Sequence, residues 1–345
     1  MPQAKRAALN RGPEPGRAVA IVALLYLALV FAAPSARAAD RVVFYPDWFP
    51  GPQFAGVYVA LDAGYFTAAG LEVEISPFAF GRKTPELIDA SPGVGGVGAI
   101  EGYIFLQQRA GGAPLMALAA MLQESPAGFM SLEPVRLAGA RDFAGRRIGV
   151  HKFADPLFRW FVRRAGLPLE QTTMVFTDGD ITRLTRGELD AMQGYAPEEF
   201  VRLQEATGSR AHFLSFRELG FDSYSEILFT TQAQLARHAD RLRRFQTAVL
   251  RGWERTLADP AVAMTATQHR LNAPADARYL TACFTALRPF ISPANQSPLA
   301  PMSAEKWRRM QDSAVAMGLM ARAEPPEKFV ASLNAAAVPE LPPRP

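Results

Sequence analysis

Short apolar runs alternate with longer segments of helical periodicity along the first two thirds of the chain. The apolar runs are typical of strands, and the segments between them are typical of helices that cover a sheet. Strands are predicted at 41–46, 71–76, 93–100, 114–122, 142–152 (after a short helical start), 172–177, 189–195 and 226–231, and helices at 53–70, 84–90, 103–112, 155–166, 178–188 and 197–208. This alternation predicts an α/β fold with parallel sheets, and its restart near residue 142 predicts a second α/β lobe.

From about Phe221 the pattern becomes mostly helical. Amphipathic helices are predicted at 239–258, 260–271, 275–288 and 303–319, and prolines separate them. The proline-rich tail, 337–345, is expected to be loose.

The first 38 residues have the pattern of a secretory signal peptide. Four basic residues precede an uncharged apolar run at 18–33, and Ala36-Arg37-Ala38 supplies small residues at a cleavage site. The apolar run has 16 residues, which is shorter than the roughly 20 that a membrane-spanning helix needs. We therefore expect cleavage after Ala38 and export to the periplasm.

Removing this segment changes the charge of the chain. Residues 1–38 hold five of the 37 basic residues and one of the 33 acidic ones, so the part from Ala39 carries 32 of each sign. This balance gives no reason to expect nucleic acid or an anionic membrane as a partner. The 307 residues that remain exceed one ordinary hydrophobic core, which favours two lobes.

Metal and cofactor chemistry find little support in the sequence. Cys283 is the only cysteine, so no intrachain disulfide is possible, and its helical context predicts a buried small residue. The four histidines lie far apart and form no metal-binding pattern. The segment GVGGVG (93–98) lacks the dinucleotide-binding spacing, and no P-loop lysine is present. We therefore predict neither a metal nor a cofactor.

The stretch DWFPGPQFAGVYVALDAGYFTAAGLEVEI (47–75) resembles the opening of a known family, the periplasmic binding proteins for thiamine-pyrimidine precursors. Alkanesulfonate-binding proteins and the yeast thiamine-pyrimidine synthase are relatives of that family. Similar segments follow in the same order: AGGAPL, MLQESPAG, DFAGRRIGV, DGDITRLTRGELDAMQGY, EILFTT and RGWERTLADPAVA. The resemblance covers most of Arg41 to Leu333.

The resemblance implies a type II periplasmic binding protein, with two α/β lobes joined by two crossovers and a ligand cleft between them. By analogy, the crossovers lie near 123–128 and 216–225. Lobe 1 then comprises 39–126 and 219–336, and lobe 2 comprises 127–218. The implied partners are a small-molecule ligand and the membrane permease of an ABC transporter, and the protein is expected to be a monomer.

Ligands of open α/β sheets lie beyond the carboxyl ends of the strands, and this rule selects candidate ligand-binding residues in both lobes. In lobe 1 it selects Asp47, Trp48, Gln53, Phe54, Glu101, Tyr103, Glu124 and Ser125. In lobe 2 it selects His151, Lys152, Phe153, Gly194, Tyr195 and Glu199, with Glu198 as the alternative to Glu199.

These residue types suit a flat aromatic ligand. Trp48 and Tyr195 are predicted to stack on opposite faces of a ring, and the carboxylates are predicted to accept hydrogen bonds from an aminopyrimidine. Other interpretations stay open for individual residues. Trp48 packs under a loop in one of them, and Glu199 only complements a helix dipole. His151 and Lys152 either meet an anion at a helix N-terminus or form an exposed loop.

The sequence departs from the resemblance at two positions. The pyrimidine-precursor group usually reads Asp-Trp-x-Pro-Asn-x-x-His, whereas this chain has Gly51 in place of the asparagine and Phe54 in place of the histidine. An aminopyrimidine is the ligand we expect first, and riboflavin or another aromatic is the alternative. A sulfonate would need anion donors such as Lys152 or Arg82 to dominate the cleft.

A synthase is a rival function of another class. The resemblance aligns the lysine and histidine of the yeast enzyme with Ile100 and Ile104, whose side chains lack the groups for that chemistry. We therefore expect a binding protein and not an enzyme. A sensor with the same lobes and no transporter is a further alternative.

Overall fold

The computed structural model describes residues 38–331 except residue 296. Residues 1–37 and the tail lie outside the described residues, so the predicted signal peptide and the predicted loose tail stay predictions. Among the described residues, no helix combines the length and the apolar composition that crossing a membrane requires.

The described chain forms ten strands. They are β1 (Asp40–Tyr45), β2 (Leu71–Ile75), β3 (Gly95–Gly98), β4 (Leu115–Leu122), β5 (Ala127–Leu132), β6 (Arg147–Val150), β7 (Thr173–Phe176), β8 (Ala191–Tyr195), β9 (Ala211–Ser215) and β10 (Ser225–Thr231).

Eleven α-helices accompany these strands in the same part of the chain. They are α1 (Ala55–Asp62), α2 (Tyr65–Ala68), α3 (Thr84–Ala90), α4 (Gly102–Ala110), α5 (Asp155–Arg164), α6 (Thr182–Thr185), α7 (Val201–Thr207), α8 (Gln232–Ala258), α9 (Pro260–Gln268), α10 (Ala277–Ile291) and α11 (Ala304–Ala316). Short 3-10 turns cover Pro52–Phe54, Ala140–Phe143, Lys152–Ala154, Leu169–Gln171, Gly208–Arg210, Pro293–Asn295 and Pro326–Lys328, and a π-helical turn covers Ala196–Phe200.

The strands form two five-stranded sheets, one in each lobe, which confirms the two-lobed α/β fold. The first has the order β2-β1-β3-β10-β4 and the second the order β7-β6-β8-β5-β9. The chain therefore passes between the lobes twice, at 123–126 and at 216–224. The lobe limits 39–126 with 219–336, and 127–218, agree with this strand membership but stay a prediction for the helices outside the sheets.

The sheets are mixed, whereas the sequence pattern predicted parallel ones. In the first sheet β10 runs antiparallel to β3 and β4, and in the second β5 runs antiparallel to β8 and β9. Both reversed strands come directly after a crossover, where the chain enters the other lobe from its cleft side. As a result, the first residues of β5 and β10 lie at the carboxyl ends of the neighbouring parallel strands.

Several predicted elements differ from the structure. Strands β5 and β9 were not predicted, because AGFMSL and AHFLS lack a clear alternation of apolar and polar residues. The helix predicted at 178–188 is a single turn, since Gly179 has a φ of 96° and Asp180 forms a local turn by accepting from Thr182. The helix predicted at 53–70 is broken at Gly64, which adopts a φ of 70°.

The two crossovers are held together by hydrogen bonds and ion pairs. The Ser125 backbone N–H donates to the Ser223 carbonyl at 2.9 Å. The buried Lys306 ammonium, from α11, donates to the Gln123 carbonyl in one crossover and pairs with Asp222 in the other, both at 2.7 Å. Lys306 thus ties the two connections to the same helix.

Helices α1 and α8 approach so closely that glycine is required on both. A Cβ at Gly252 would lie 1.9 Å from the carbonyl oxygen of Gly56, and a Cβ at Gly56 would lie 2.4 Å from the Trp253 indole nitrogen. Trp253 is fully buried in the core beneath the first sheet. The glycine pair therefore sets how far the longest helix lies from α1.

We expect Gly252→Ala to destabilise the protein by about 3 kcal/mol, because overpacking against a backbone atom cannot be relieved by a side-chain rotation. Urea unfolding of the two forms measures the difference. Gly93→Ala is the matched control, since a Cβ there meets open space, and its effect should stay within about 0.5 kcal/mol. Equal stabilities of the two variants would contradict the close approach.

Candidate functional site

A cavity of about 830 Å³ lies between the two lobes. Its walls include the segments that follow β1, β2 and β3 in the first lobe and β6 and β8 in the second. These are the carboxyl ends of parallel strands, where open α/β sheets bind their ligands. Its volume falls within the roughly 300–1,000 Å³ of small-molecule sites.

Eight of the predicted ligand-binding residues line this cavity. They are Asp47, Trp48, Glu101, Tyr103, His151, Phe153, Tyr195 and Glu199. The alternative acid, Glu198, lines it as well. The other six predicted residues, Gln53, Phe54, Glu124, Ser125, Lys152 and Gly194, do not belong to its lining, and the structure gives each a different role.

Phe54, Gln53 and Gly194 serve the packing of the fold. Phe54 is fully buried and meets the Phe44 ring edge-on, with centroids 5.9 Å apart. Gln53 is buried beside it and donates to the Phe49 carbonyl at 3.4 Å. Gly194 leaves room for neighbours, since a Cβ there would lie 2.8 Å from the Met130 methyl group.

Glu124 and Ser125 belong to the crossover, and Lys152 is a surface residue. The Glu124 carboxylate forms an ion pair with Arg217 of the other crossover. The Ser125 hydroxyl oxygen accepts from the Ala127 backbone N–H at 3.3 Å. Lys152 is exposed on its 3-10 turn, so it supplies no charge to the cavity wall.

Glu101 joins the two lobes at the floor of the cavity. It is 6% exposed and occupies the N-cap position of α4 in the first lobe, where its side chain accepts no capping hydrogen bond. One of its oxygens accepts from the Ser225 hydroxyl at 2.7 Å and from the Tyr195 hydroxyl of the second lobe. Burial raises the pKa of the Glu101 carboxyl to about 7, and the two hydroxyl donors oppose that rise.

Glu226 and Asp47 are two further carboxyl residues near Glu101, and they lie next to each other. Glu226 is 1% exposed and has a φ of 48°, which is rare for a residue with a side chain. Burial raises the pKa of both carboxyls, and a hydrogen bond between them requires that one holds a proton. One oxygen of each, Oδ1 of Asp47 and Oε2 of Glu226, has no hydrogen-bond partner.

Glu198 and Glu199 enter the cavity from the π-helical turn after β8. The extra residue in such a turn brings two consecutive acids to one wall, and π-turns are often found at functional sites. Glu199 accepts from the Tyr195 backbone N–H at 2.8 Å, while Glu198 lies 3.7 Å from the Arg202 guanidinium. Burial raises the pKa of Glu198 to about 8.

Aromatic rings form the opposite wall. Trp48 stacks on His151 across the cleft, with ring centroids 5.3 Å apart and planes at 29°. Phe78, Phe80 and Phe153 meet the same indole at centroid distances of 5.6, 5.7 and 6.3 Å. The structure therefore pairs Trp48 with His151, whereas the sequence had predicted that it faces Tyr195 across a ligand ring.

His151 is not part of an exposed loop. It is 7% exposed, and its backbone N–H donates to the Gln193 side chain at 3.1 Å. Burial lowers the pKa of the imidazole to about 4, so the ring is neutral at physiological pH. Its Nε2 atom has no partner and borders the cavity.

Some lining residues escaped the sequence prediction. Phe78 and Phe80 follow the second strand, so the rule of carboxyl ends selects them when it is applied to every strand. Arg82, which the sequence suggested only as an anion donor for a sulfonate, lines the cavity as well. Glu226 could not be found in this way because it stands at the beginning of a strand. Only the reversed direction of β10 brings it to the cavity. Within the described chain, no three His, Cys, Asp or Glu side chains are arranged to hold a metal ion.

Comparisons with known proteins agree on one family. Residues 51–263, more than half of the chain, match the family model described as "NMT1/THI5 like". The chain is 25% identical over 237 residues to a 4-amino-5-hydroxymethyl-2-methylpyrimidine phosphate synthase of Aspergillus parasiticus, covering 65% of this chain and 69% of that protein.

Two relatives are named as binding proteins. The chain is 25% identical over 234 residues to the riboflavin-binding protein RibY of Chloroflexus aurantiacus, covering 66% of each protein. It is 24% identical over 251 residues to the formylaminopyrimidine-binding protein of Halalkalibacterium halodurans, covering 71% of this chain and 75% of that one. The chain thus spans about two thirds to three quarters of these relatives.

Solved structures share the fold at low sequence identity. The periplasmic aliphatic sulphonate-binding protein SsuA of Escherichia coli superposes with a TM-score of 0.61 at 12% identity, covering 81% of this chain and 91% of that one. This similarity confirms the periplasmic-binding-protein architecture that the sequence predicted.

We expect Glu101→Gln to flatten the dependence of stability on pH. A carboxyl with a folded-state pKa near 7 and an ordinary unfolded-state pKa costs stability progressively as pH rises from about 4.5 to about 7. The glutamine removes that cost while keeping an oxygen for Tyr195 and Ser225. Relative to wild type, the variant should gain on the order of 2 kcal/mol between pH 5 and pH 8.

Urea unfolding at both pH values measures this gain. Asp312→Asn, at an exposed position on α11, is the control and should keep the wild-type slope. A Glu101→Gln slope identical to that of wild type would show that Glu101 is ionised at pH 5.

Proposed function

The chain belongs to the NMT1/THI5-like family, and on that premise we propose that it is the periplasmic solute-binding component of an ABC importer for a small aromatic ligand. The observation that carries the proposal is the interlobe cavity, in which stacked aromatic rings face a set of buried carboxyl groups. In this proposal the signal peptide directs export, and the protein acts as a monomer that delivers its ligand to a membrane permease.

An aminopyrimidine fits this cavity best. Its flat ring offers faces to the aromatic wall, and its amino group and ring nitrogens match the hydrogen-bonding atoms of Asp47, Glu101 and Glu226. A relative named as a formylaminopyrimidine-binding protein supports this choice. The departure at Phe54 carries little weight against it, because Phe54 lies in the core and not on the cavity wall.

Riboflavin or another larger aromatic is the second candidate. The relative RibY supports it, and a cavity of about 830 Å³ is large for a single six-membered ring. A sulfonate is disfavoured, because the buried acids would repel an anion and the neutral His151 could not pair with it.

A synthase activity has less support than binding. Ile100 and Ile104, the positions that the resemblance aligns with the synthase lysine and histidine, both line the cavity with aliphatic side chains. A site with that wall offers an apolar surface for a ring and no nucleophile. The cavity therefore favours reversible binding of a ligand by closure of the two lobes.

We expect an aminopyrimidine or riboflavin to raise the melting temperature of the purified protein. A ligand at 100 times its Kd adds about 2.7 kcal/mol of stability, which corresponds to a few degrees in a protein of this size. The panel is hydroxymethyl- and formylaminomethyl-aminopyrimidine, thiamine, riboflavin and taurine. A shift with taurine alone would contradict an aromatic ligand, and no shift with any member would contradict the proposed ligand class.

Trp48→Ala should abolish that shift with little loss of stability, because it removes the central ring of the aromatic wall from a half-buried position. Calorimetric titration measures the affinity, and thermal unfolding measures the stability. Phe176→Ala is the matched control, since Phe176 is an exposed aromatic outside the cavity. A large fall in melting temperature with the affinity retained would show that Trp48 supports the fold instead.

A further inference from the structure

We propose that the ligand carries a positive charge on its planar nitrogen ring, and that the buried acids of the cavity select it against neutral rings of the same shape. This inference rests on the proposed function and adds the charge of the ligand to it. Four features of the cavity support it. They are its acids, its buried atoms without partners, the engagement of the nearby arginines by other groups, and its aromatic wall.

Several acidic side chains line the interior of the cavity. Glu101, Glu198 and Glu226 are more than nine-tenths buried, and all line it together with Asp47 and Glu199. Burying even one carboxylate is costly unless an opposite charge or several donors compensate. A neutral ring compensates through its donors alone, whereas a cationic ring adds an opposite charge at the place where these carboxyls converge.

The unpartnered atoms around the cavity point to a missing donor. Oε2 of Glu226 and Oδ1 of Asp47 have no hydrogen-bond partner, and neither do Nε2 of His151 and the Tyr103 hydroxyl. The side chains of Glu226, His151 and Tyr103 are more than nine-tenths buried, so bulk water does not satisfy them. The two carboxyl oxygens are the strongest acceptors of this set, and both residues line the cavity.

The protein's own cations lie near some of these acids and leave the others without an opposite charge. Arg82 donates to the backbone carbonyls of Pro46 and Pro77. Among these acids, it lies near Asp47. Arg202 donates to the Tyr279 hydroxyl at 2.8 Å and lies near Glu198. Lys83 lines the cavity from an exposed position. Glu101 and Glu226 therefore have no cationic side chain as a hydrogen-bond or ion-pair partner among the described residues.

The aromatic wall favours the same charge. Trp48, Phe78, Phe80 and Phe153 all line the cavity, and the faces of such rings attract cations, with tryptophan the strongest of them. A cationic ring that stacks here gains from the ring faces on one side and from the carboxyls on the other. A bound cation also favours the ionised carboxylates, so the acids become better acceptors when the ligand arrives.

Two pairs of probes separate charge from shape. Thiamine carries a permanent positive charge on its thiazolium ring, and 3-deazathiamine has a neutral thiophene ring of nearly the same shape in its place. The 1-methylnicotinamide cation differs from neutral nicotinamide by one N-methyl group. We expect calorimetric titration of the full protein to give at least tenfold tighter binding for the cation of each pair.

Glu226→Gln keeps the shape of the side chain and removes its charge, so it should reduce the preference for the cation at least fivefold. Glu101→Gln is the second variant, for the case that the strained backbone at position 226 does not accept the change. Asp312→Asn, which lies outside the cavity, should leave the preference unaltered.

The outcomes distinguish this inference from the proposed function. If the neutral member of each pair binds as tightly as the cation, or if both Gln variants keep the full preference, the charge inference is overturned while a binding protein for aromatic rings stands. If riboflavin, the pyrimidines and the four probes all fail to bind, the proposed function itself fails, and the charge inference falls with it.

Discussion

The cost of burying negative charge is the constraint on which the site depends. Seven carboxyl groups line one cavity, and three of them are nearly inaccessible to solvent. Such a group must be protonated, hydrogen-bonded or paired. The structure uses the first two means, since burial raises the pKa of Glu101 and Glu226 and the Tyr195 and Ser225 hydroxyls donate to Glu101. Burying these carboxyl groups costs free energy, and a ligand that donates hydrogen bonds to them would offset part of that cost.

Residues of the cavity also form the contacts that join the two lobes across the cleft. Tyr195 belongs to the second lobe and Glu101 to the first, so the hydrogen bond between them spans the cleft. The stacking of Trp48 on His151 spans it at another point. Both contacts break if the lobes separate, whereas Lys306 continues to hold the two crossovers together. The contacts between the lobes thus lie at the cleft, while a separate set of contacts joins the two crossovers.

The sequence predicted the fold well and the site in part. Apolar periodicity located eight of the ten described strands and most helices. This is because a buried strand or an amphipathic helix has a characteristic spacing of apolar residues in its own local sequence. Predicting the site required knowing the direction in which each strand runs. Trp48, Glu101 and Tyr195 follow parallel strands and were found, but Glu226 begins a reversed strand and was not. Phe54 was misplaced because a residue at the start of a helix can face either the cleft or the core, and local sequence does not specify which.

The position of Glu226 has a consequence for how such a protein diversifies. Trp48, Phe78, Phe80 and Phe153 stand on loops, where a substitution changes the shape of the pocket and leaves the sheets intact. Glu226 stands instead in a strand between two others, with a backbone conformation that few residues adopt. Substitutions on the loops can therefore change the shape of the pocket while the first sheet stays intact. A substitution of Glu226 changes the polarity of the pocket and also disturbs the sheet that holds it.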